Sequence, residues 1–194
     1  MGYRKWPRIW GDEINLVEPG FNSGWAKVQG FWPITEKNAD PLPELKGYLG
    51  KDVLVEEENI TRQMDMVDYS DRRKYSSPEF VWNASVGVTA LKFLNSNKLG
   101  KQYENNLFIA DYNNNNIYSF DLDKERTELV LDNRLNDRIA NSDDELSDIV
   151  FARRLGVITD IEVGYDGHLY LVSFSEGKIY RIVPLDAQGE DEQP

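Results

Sequence analysis

Two stretches of the chain carry the same pattern of apolar and polar positions. Residues 106–120 read NLFIADYNNNNIYSF, residues 168–182 read HLYLVSFSEGKIYRI, and the two align without a gap. Each has a run of aliphatic, aromatic and β-branched residues, then a four-residue polar break, then an alternating run. Such a pattern is typical of two antiparallel strands joined by a tight turn that Asn and Gly favour. The chain therefore predicts the same hairpin twice.

The repeat extends upstream of both hairpins. Residues 88–93, VTALKF, resemble residues 158–163, ITDIEV, with a threonine at the second position of each. Repetition of three-stranded antiparallel units favours the blades of a β-propeller, whereas two unrelated hairpins of a sandwich would not explain the gap-free match. The patterns predict strands at about 88–94, 106–112, 116–121, 157–163, 168–174 and 178–183.

Shorter apolar runs predict further strands. One begins near Ile14 and returns at Trp25–Val28, another is Phe80–Trp82, and an outer strand of the first repeat falls at Glu128–Leu131. Roughly ten strands make about two and a half to three blades, fewer than a closed ring needs. The fold class we predict is all-β, with propeller blades in an incomplete ring that is the C-terminal part of a larger one.

The remaining segments complete the predicted organisation. A partial propeller domain over residues 1–185 is interrupted by a long irregular insertion at 29–78, which is rich in proline and charge. Residues 186–194 form an acidic tail that we predict to be disordered. The sequence NSDDE before Leu146 predicts a capped helical turn, while calcium binding by Asp143–Glu145 is the alternative.

Charge and composition narrow the function classes. The net charge of −12 and the pI of about 4.6 disfavour nucleic acid as a partner, because an acidic surface repels phosphates. No apolar run is long enough to span a bilayer, and the N-terminus lacks the apolar core of a signal peptide. The single histidine, His168, excludes a histidine-cluster metal site; we expect it in a solvated turn.

Four segments, in order along the chain, resemble one family. Residues 11–25, GDEINLVEPGFNSGW, are similar to a segment of the soluble glucose/sorbosone dehydrogenases. Weaker likenesses follow at Phe80–Trp82 with Val88–Leu91, at Tyr103–Phe108, and at Ile158–Ser173. The resemblance covers about residues 11–185 and implies a six-bladed propeller that oxidises aldoses with pyrroloquinoline quinone and calcium.

The resemblance also implies site residues and a setting. Asp12 and Glu13 match the family's calcium loop and are the candidate metal ligands. Trp82 matches a tryptophan that lies against the cofactor. A sugar would be the substrate, its hydroxyl giving hydride to the quinone, and the location would be extracellular or periplasmic.

The chain departs from the family at the catalytic positions. The family's base is a histidine from an earlier blade, so we assign no catalytic residue here. The family's lysine would fall near Tyr112–Asn113 and its arginine pair near Val157–Asp160, where this chain has none. The enzyme assignment is therefore uncertain, and we expect a fragment lacking the base.

Two further interpretations stay open. One is a non-catalytic propeller module that binds carbohydrate or protein through the 29–78 loop, and the other is a calcium-dependent lactonase-like propeller. In each case the open edges of an incomplete ring predict association with other chains.

Overall fold

The computed structural model describes residues 11–21, 23, 76 and 78–185. The boundary between its two compact units lies between Ala84 and Ser85. The predicted return strand at Trp25–Val28, nearly all of the 29–78 insertion and the acidic tail lie outside the described residues. The single domain that we predict over residues 1–185 therefore stays a prediction.

The described residues form short strands and very little helix. Helical turns of the 3-10 type lie at Lys101–Tyr103 and Asn133–Leu135. In chain order the other elements are β1 (Glu13–Ile14), β2 (Phe80–Trp82), β3 (Val88–Phe93), β4 (Leu107–Asp111), β5 (Asn116–Leu122), β6 (Leu129–Val130), β7 (Ile139–Ala140), α1 (Asp143–Leu146), β8 (Val150–Arg153), β9 (Ile158–Val163), β10 (Leu169–Ser173) and β11 (Lys178–Ile182).

In the first unit, β1 and β2 form an antiparallel pair, with Glu13 opposite Val81 and Ile14 opposite Phe80. All three residues of β2 are buried. A side chain at Gly11 would place its Cβ 2.1 Å from the carbonyl oxygen of Trp82. Glycine is therefore required at this position, because no other residue lets the two backbones approach so closely.

The second unit contains two sheets with the strand order of propeller blades. In the first blade β3, β4 and β5 are antiparallel neighbours, and the outer side of β5 pairs with both β6 and β8. Asp121 and Leu122 bond to β6, whereas Asn116, Ile117 and Tyr118 bond to β8, so two short pieces make the fourth strand. The second blade consists of β9, β10 and β11 in antiparallel order.

The two blades repeat each other in register. Leu107 lies opposite Phe120 in the first hairpin, and Leu169 lies opposite Ile182 at the equivalent position of the second. The predicted hairpin is thus confirmed, and each of the six strands predicted for the repeat is found within two residues of its expected ends. Since a slip of one residue would reverse the faces of a strand, the shared register shows that both copies use the same apolar face.

An irregularity in the first strand is also repeated. Pairing passes from Val88–Asp111 to Ala90–Ala110 and skips Thr89, and in the second blade it skips Thr159 in the same way. The Thr89 hydroxyl donates to the carbonyl oxygen of Ala110 at 3.2 Å and to that of Ile158 at 2.5 Å. A bulge increases strand twist, and here its threonine also ties β3 to β9.

The core of the second unit lies between its two blades. Side chains from both sheets form one buried cluster, which contains Leu94, Leu99, Phe108, Ala110 and Ile117 from the first blade and Ile158, Ile161, Leu169 and Leu171 from the second. Phe151 of β8 packs edge-on against Phe108, with ring centroids 5.1 Å apart. Lys92 and Glu162, which occupy equivalent positions of the repeat, form an ion pair of 2.5 Å.

The segment before the second blade differs in part from expectation. The predicted cap is confirmed, because Ser142 Oγ accepts a hydrogen bond from the Glu145 amide and Glu145 Oε2 accepts one from the Asn141 amide. The helix is one turn long, as predicted, but the sequence did not predict strand β8, which begins at Val150. A four-residue strand has too few residues for its periodicity to be distinguished from that of a helical turn.

The outer face of the second blade carries exposed apolar side chains. Ala110 and Ile117 of the first blade are buried, yet their equivalents in the second blade, Val172 and Ile179, are 36% and 70% exposed. Within the described residues, nothing packs on this face as the second blade packs on the first. Exposed apolar sheet surface of this kind favours association.

We predict that the purified chain self-associates through this face and that Ile179→Lys weakens the association about tenfold, because a buried isoleucine contributes about 1.5–3 kcal/mol. Sedimentation velocity over a concentration series measures the change. Glu176→Lys, in the turn before β11, is the control for added positive charge. A monodisperse wild-type monomer at all concentrations would contradict the prediction.

Candidate functional site

The structure brings together the three residues that the sequence assigned to a site. The backbone amide of Trp82 donates to the carbonyl oxygen of Asp12 at 2.9 Å, immediately beside the β1–β2 pair. Glu13 follows Asp12 and lies opposite Val81. The candidate metal ligands and the candidate cofactor contact are therefore neighbours across one antiparallel ladder, although 69 residues separate Glu13 from Trp82 in sequence.

The two carboxylates are not equivalent in this ladder. Successive residues of an extended strand point to opposite faces, so we expect Asp12 on the face of Trp82 and Glu13 on the other. Asn15, two residues after Glu13, donates through Nδ2 to Glu13 Oε2 at 3.2 Å. Among the described residues, no three carboxylate or imidazole groups converge as a metal site. Calcium needs six to eight oxygens, so backbone carbonyls and water would have to supply most of them.

Trp82 packs as a core residue. Only 1% of its surface is exposed, and the Phe80 ring meets the indole edge-on with a centroid separation of 5.0 Å. Edge-to-face pairs of this kind stabilise a core beyond the area that they bury.

A second polar centre lies at the end of the first hairpin, around the fully buried Asp111. Its Oδ1 accepts from the amides of Asn114 at 2.8 Å and Asn116 at 3.3 Å. Its Oδ2 accepts from Asn114 Nδ2 at 3.2 Å and from the Tyr118 hydroxyl. A buried carboxylate is costly unless it is well bonded, and here both oxygens are used to hold the turn.

The environment of Asp111 changes the chemistry of Tyr118. Burial of the phenol, and then its hydrogen bond to the Asp111 carboxylate, raise the pKa of Tyr118 well above its ordinary value. Asn116 Nδ2 donates to the same hydroxyl at 3.3 Å. Tyr118 therefore stays protonated at neutral pH and serves as a hydrogen-bond donor.

The equivalent turn of the second blade is built differently. Ser173 stands at the position of Asp111, and its hydroxyl donates to the carbonyl oxygen of Leu155 at 2.6 Å. Tyr180 stands at the position of Tyr118, but its hydroxyl has no hydrogen bond within the described residues. The buried carboxylate is thus a feature of the first blade alone.

The positions that hold the quinone's carboxylates in the family do not carry cations in this chain. Tyr112 and Asn113 follow β4, and the Asn113 side chain donates to the carbonyl oxygen of Ser85 at 2.7 Å. In β9, Asp160 Oδ1 accepts from the Ile161 amide at 2.9 Å. Both places use their polar groups to bond the backbone, so neither place offers a cation to a bound tricarboxylate.

His168 is less solvated than the sequence suggested. Its side chain is 18% exposed, and Nδ1 lies 3.3 Å from Asp166 Oδ2. The same carboxylate accepts a hydrogen bond from the Tyr170 hydroxyl at 2.8 Å, and that bond contributes most to lowering the pKa of Asp166. The histidine is therefore only partly exposed, and its ring lies beside the Asp166 carboxylate of the same turn.

The acidic cluster at residues 143–145 serves the fold. Arg134 forms ion pairs with Asp144 and with Asp148, the latter at 2.6 Å. Glu145 caps the helix start. The helix-cap interpretation is confirmed for this segment.

The second unit contains a polar cleft that the sequence pattern did not predict. The cleft has a volume of about 370 Å³ and lies where the first hairpin turn meets the ends of α1 and β8. Its lining comprises Asn114, Asn115, Asn116, Asp143, Leu146, Arg153 and Arg154. The sequence predicts the asparagines only as turn formers. The adjacent arginines lie in a segment where apolar and polar positions follow no clear pattern. Proximity of these residues depends on the β5–β8 pairing.

Comparisons with known proteins agree with the sequence resemblance. The family model described as Glucose / Sorbosone dehydrogenase matches residues 50–181, about two thirds of the chain. A structure titled "Crystal structure of glucose dehydrogenase" is 20% identical, with a TM-score of 0.44, and the match covers 83% of this chain and 34% of that one. Another structure, "glucose dehydrogenase", is 19% identical, with a TM-score of 0.34, over 50% and 24% of the two chains.

The chain thus spans between a quarter and about a third of the length of these two structures. No curated protein matches it. Within the described residues, no helix has the length and hydrophobicity that crossing a membrane requires.

Tyr118→Phe should lower the free energy of unfolding by about 1–3 kcal/mol, because a buried carboxylate loses a donor. Tyr180→Phe is the matched control, since it deletes the equivalent hydroxyl where no buried carboxylate accepts it. Chemical denaturation of both variants measures the difference. Equal effects of the two substitutions would show that the Asp111 contact contributes nothing.

Alkaline pH should destabilise the chain through the same residue. A phenol whose pKa is raised in the folded state contributes its full stabilisation of that state below pH 10.0, its pKa in the unfolded chain. This contribution falls as the pH rises further. Unfolding curves between about pH 9 and 11 should therefore show a steeper loss for wild type than for Tyr118→Phe. Parallel curves would contradict this assignment.

Proposed function

Because the chain belongs to the glucose/sorbosone dehydrogenase family, we propose that it is part of a sugar-oxidising propeller in which an aldose hydroxyl gives hydride to pyrroloquinoline quinone. The observation that carries the proposal is the family match, which spans both blades of the second unit. The repeated register of those blades supports it, since propellers are built from such units.

The contribution of this chain centres on the first unit. We assign Asp12 and Glu13 to calcium, with Asp12 on the Trp82 face of the β1–β2 ladder and backbone carbonyls completing the ligand set. Trp82 would form a wall of the cofactor site.

The acid–base chemistry must come from elsewhere. Hydride loss from a hydroxyl also requires a base for the hydroxyl proton. Of the residues that the structure describes, the one histidine lies in a turn, with Nδ1 3.3 Å from the Asp166 carboxylate. We therefore propose that the base and the cations for the quinone belong to a part of the active protein beyond these described residues, and that the chain is a fragment of it.

The setting follows from the same proposal. A protein that exchanges calcium and a quinone with its surroundings fits the periplasm or the extracellular space, where we place this chain. Open blade faces would bring it together with the remaining blades, from another chain or from a longer form of this one.

A second candidate function has an observation of its own. Asp111 occupies the end of β4, next to the position of the family's lysine. Its carboxylate already accepts hydrogen bonds from the Asn114 amide and the Tyr118 hydroxyl. A blade modified in this way is consistent with a non-catalytic module that binds carbohydrate or protein. The two candidates differ in whether quinone binds.

Calorimetric titration with calcium and pyrroloquinoline quinone separates them. We expect calcium and quinone to bind cooperatively, each tightening the other by the same factor, and Asp12→Asn with Glu13→Gln to abolish both. Cofactor absorbance and dye reduction with aldoses report on turnover.

Glu125→Gln with Glu128→Gln is the control, because it removes two exposed carboxylates of the second unit. Unchanged calcium binding in the Asp12/Glu13 variant would place the metal elsewhere. Absence of calcium and quinone binding in the wild type would favour the non-catalytic module.

A further inference from the structure

The polar cleft of the second unit carries two arginines that the rest of the described structure does not neutralise. The side chains of Arg153 and Arg154 have no ion pair or hydrogen bond within the described residues. The chain as a whole has 34 acidic and 22 basic residues, with a net charge of −12. Two adjacent guanidinium groups that form no ion pair are unexpected in a chain in which carboxylates outnumber basic groups.

Backbone pairing fixes these arginines beside the asparagine turn. Arg153 lies directly opposite Asn116 in the β5–β8 pair, and opposite residues project from the same face about 5 Å apart. Arg154 has a positive φ of 64°, in the left-handed region that arginine rarely adopts. The chain therefore turns sharply after β8 and leaves both arginines at the cleft.

The turn itself is a preorganised wall. Asp111 holds Asn114 through both its backbone amide and its side chain, and it holds Asn116 through its amide. Asn115, between them, has a φ of 55° and is not held by Asp111. A site whose neighbours are fixed in this way loses little freedom when a ligand binds.

Asn115 offers an unused acceptor in this wall. Its Oδ1 is buried and has no hydrogen-bond donor among the described residues. A buried acceptor without a donor costs about 1–3 kcal/mol. A ligand hydroxyl would remove that cost once the carboxamide turns toward the cleft.

The hydrogen-bonding requirements of the two arginines and of Asn115 define the chemistry of the ligand. Arginine binds carboxylate and phosphate groups with two parallel hydrogen bonds, and Asn115 Oδ1 requires a hydroxyl or amine donor. Asp143 also lines the cleft, so one carboxylate opposes two guanidinium groups and the site keeps one net positive charge. Asp143 would repel a second anionic group and can itself accept from a hydroxyl.

We propose that this cleft binds an anionic sugar, a polyol that carries one carboxylate or phosphate group. Arg153 and Arg154 bind the anionic group, while the carboxamide of Asn115 and the carboxylate of Asp143 accept hydrogen bonds from hydroxyls. The volume of about 370 Å³ lies within the range of small-molecule sites.

This site is separate from the proposed calcium and quinone residues, which belong to the first unit. Titrations on the chain without calcium or quinone therefore test it alone. If the proposed oxidation is disproved, the anionic-sugar titration is not affected. If the cleft binds no anionic sugar, the oxidation proposal is not affected.

The experiment is calorimetric titration of the purified chain with D-glucuronate, D-glucose 6-phosphate, D-glucose, acetate and inorganic phosphate. We expect at least one of the two anionic sugars to bind with a Kd of about 1 mM or tighter, and glucose, acetate and phosphate to bind at least tenfold more weakly. A preference for glucuronate identifies a carboxylate ligand, and a preference for the sugar phosphate identifies a phosphate ligand. Added salt should weaken binding.

Variants assign the binding to the cleft. Arg153→Gln with Arg154→Gln should weaken the anionic sugar tenfold or more, whereas Lys101→Gln with Lys124→Gln, the same charge change at two exposed lysines, should leave the Kd within about twofold. Asn115→Ala should weaken the sugar while leaving any weak binding of acetate or phosphate unchanged. Circular dichroism melts confirm that each variant folds.

Three results would overturn the proposal. The first is no saturable binding of either anionic sugar, and the second is equal binding of glucose. The third is an equal loss of affinity in the arginine and lysine variants, which would indicate attraction by overall charge and not a site.

Discussion

The second unit depends on the packing of its two blades against each other. Strand alternation places Phe108 and Ala110 on one face of β4 and Leu169 and Leu171 on the facing side of β10, and all four are buried. Apolar burial of this kind is the main favourable term in folding. It also fixes the positions of β3 and β9, so that Thr89 can donate to the carbonyl oxygen of Ile158 and Lys92 can reach Glu162.

The same packing explains where polar chemistry can occur. Buried sheets leave only the strand ends and turns for polar groups, which must be bonded or meet solvent. In the first blade Asp111 organises its turn from inside, and the rigid turn then forms one wall of the arginine cleft. In the second blade Ser173 replaces the carboxylate, and the turn takes another form. The two blades therefore share the same strand framework but differ in the turn at its end.

Family membership and local chemistry give different information about function. The family match establishes ancestry in the glucose/sorbosone dehydrogenases, while the side chains at the end of β4 and in β9 do not repeat the family's cation pattern. Fold and family leave the function of such a site open, because function depends on a few side chains. The first unit, with Asp12 beside Trp82, holds the residues that the sequence resemblance assigns to calcium and quinone.

The sequence by itself determined the hairpins, their register and the cap of α1, because these depend on periodicity and on residues close together in the chain. It also named Asp12, Glu13 and Trp82, through resemblance. Only the tertiary structure placed Asp12 beside Trp82 and paired β8 with β5 to bring Arg153 to Asn116. Those contacts join segments whose separate patterns contain no information about each other, since long-range pairing is decided by the packing of whole sheets.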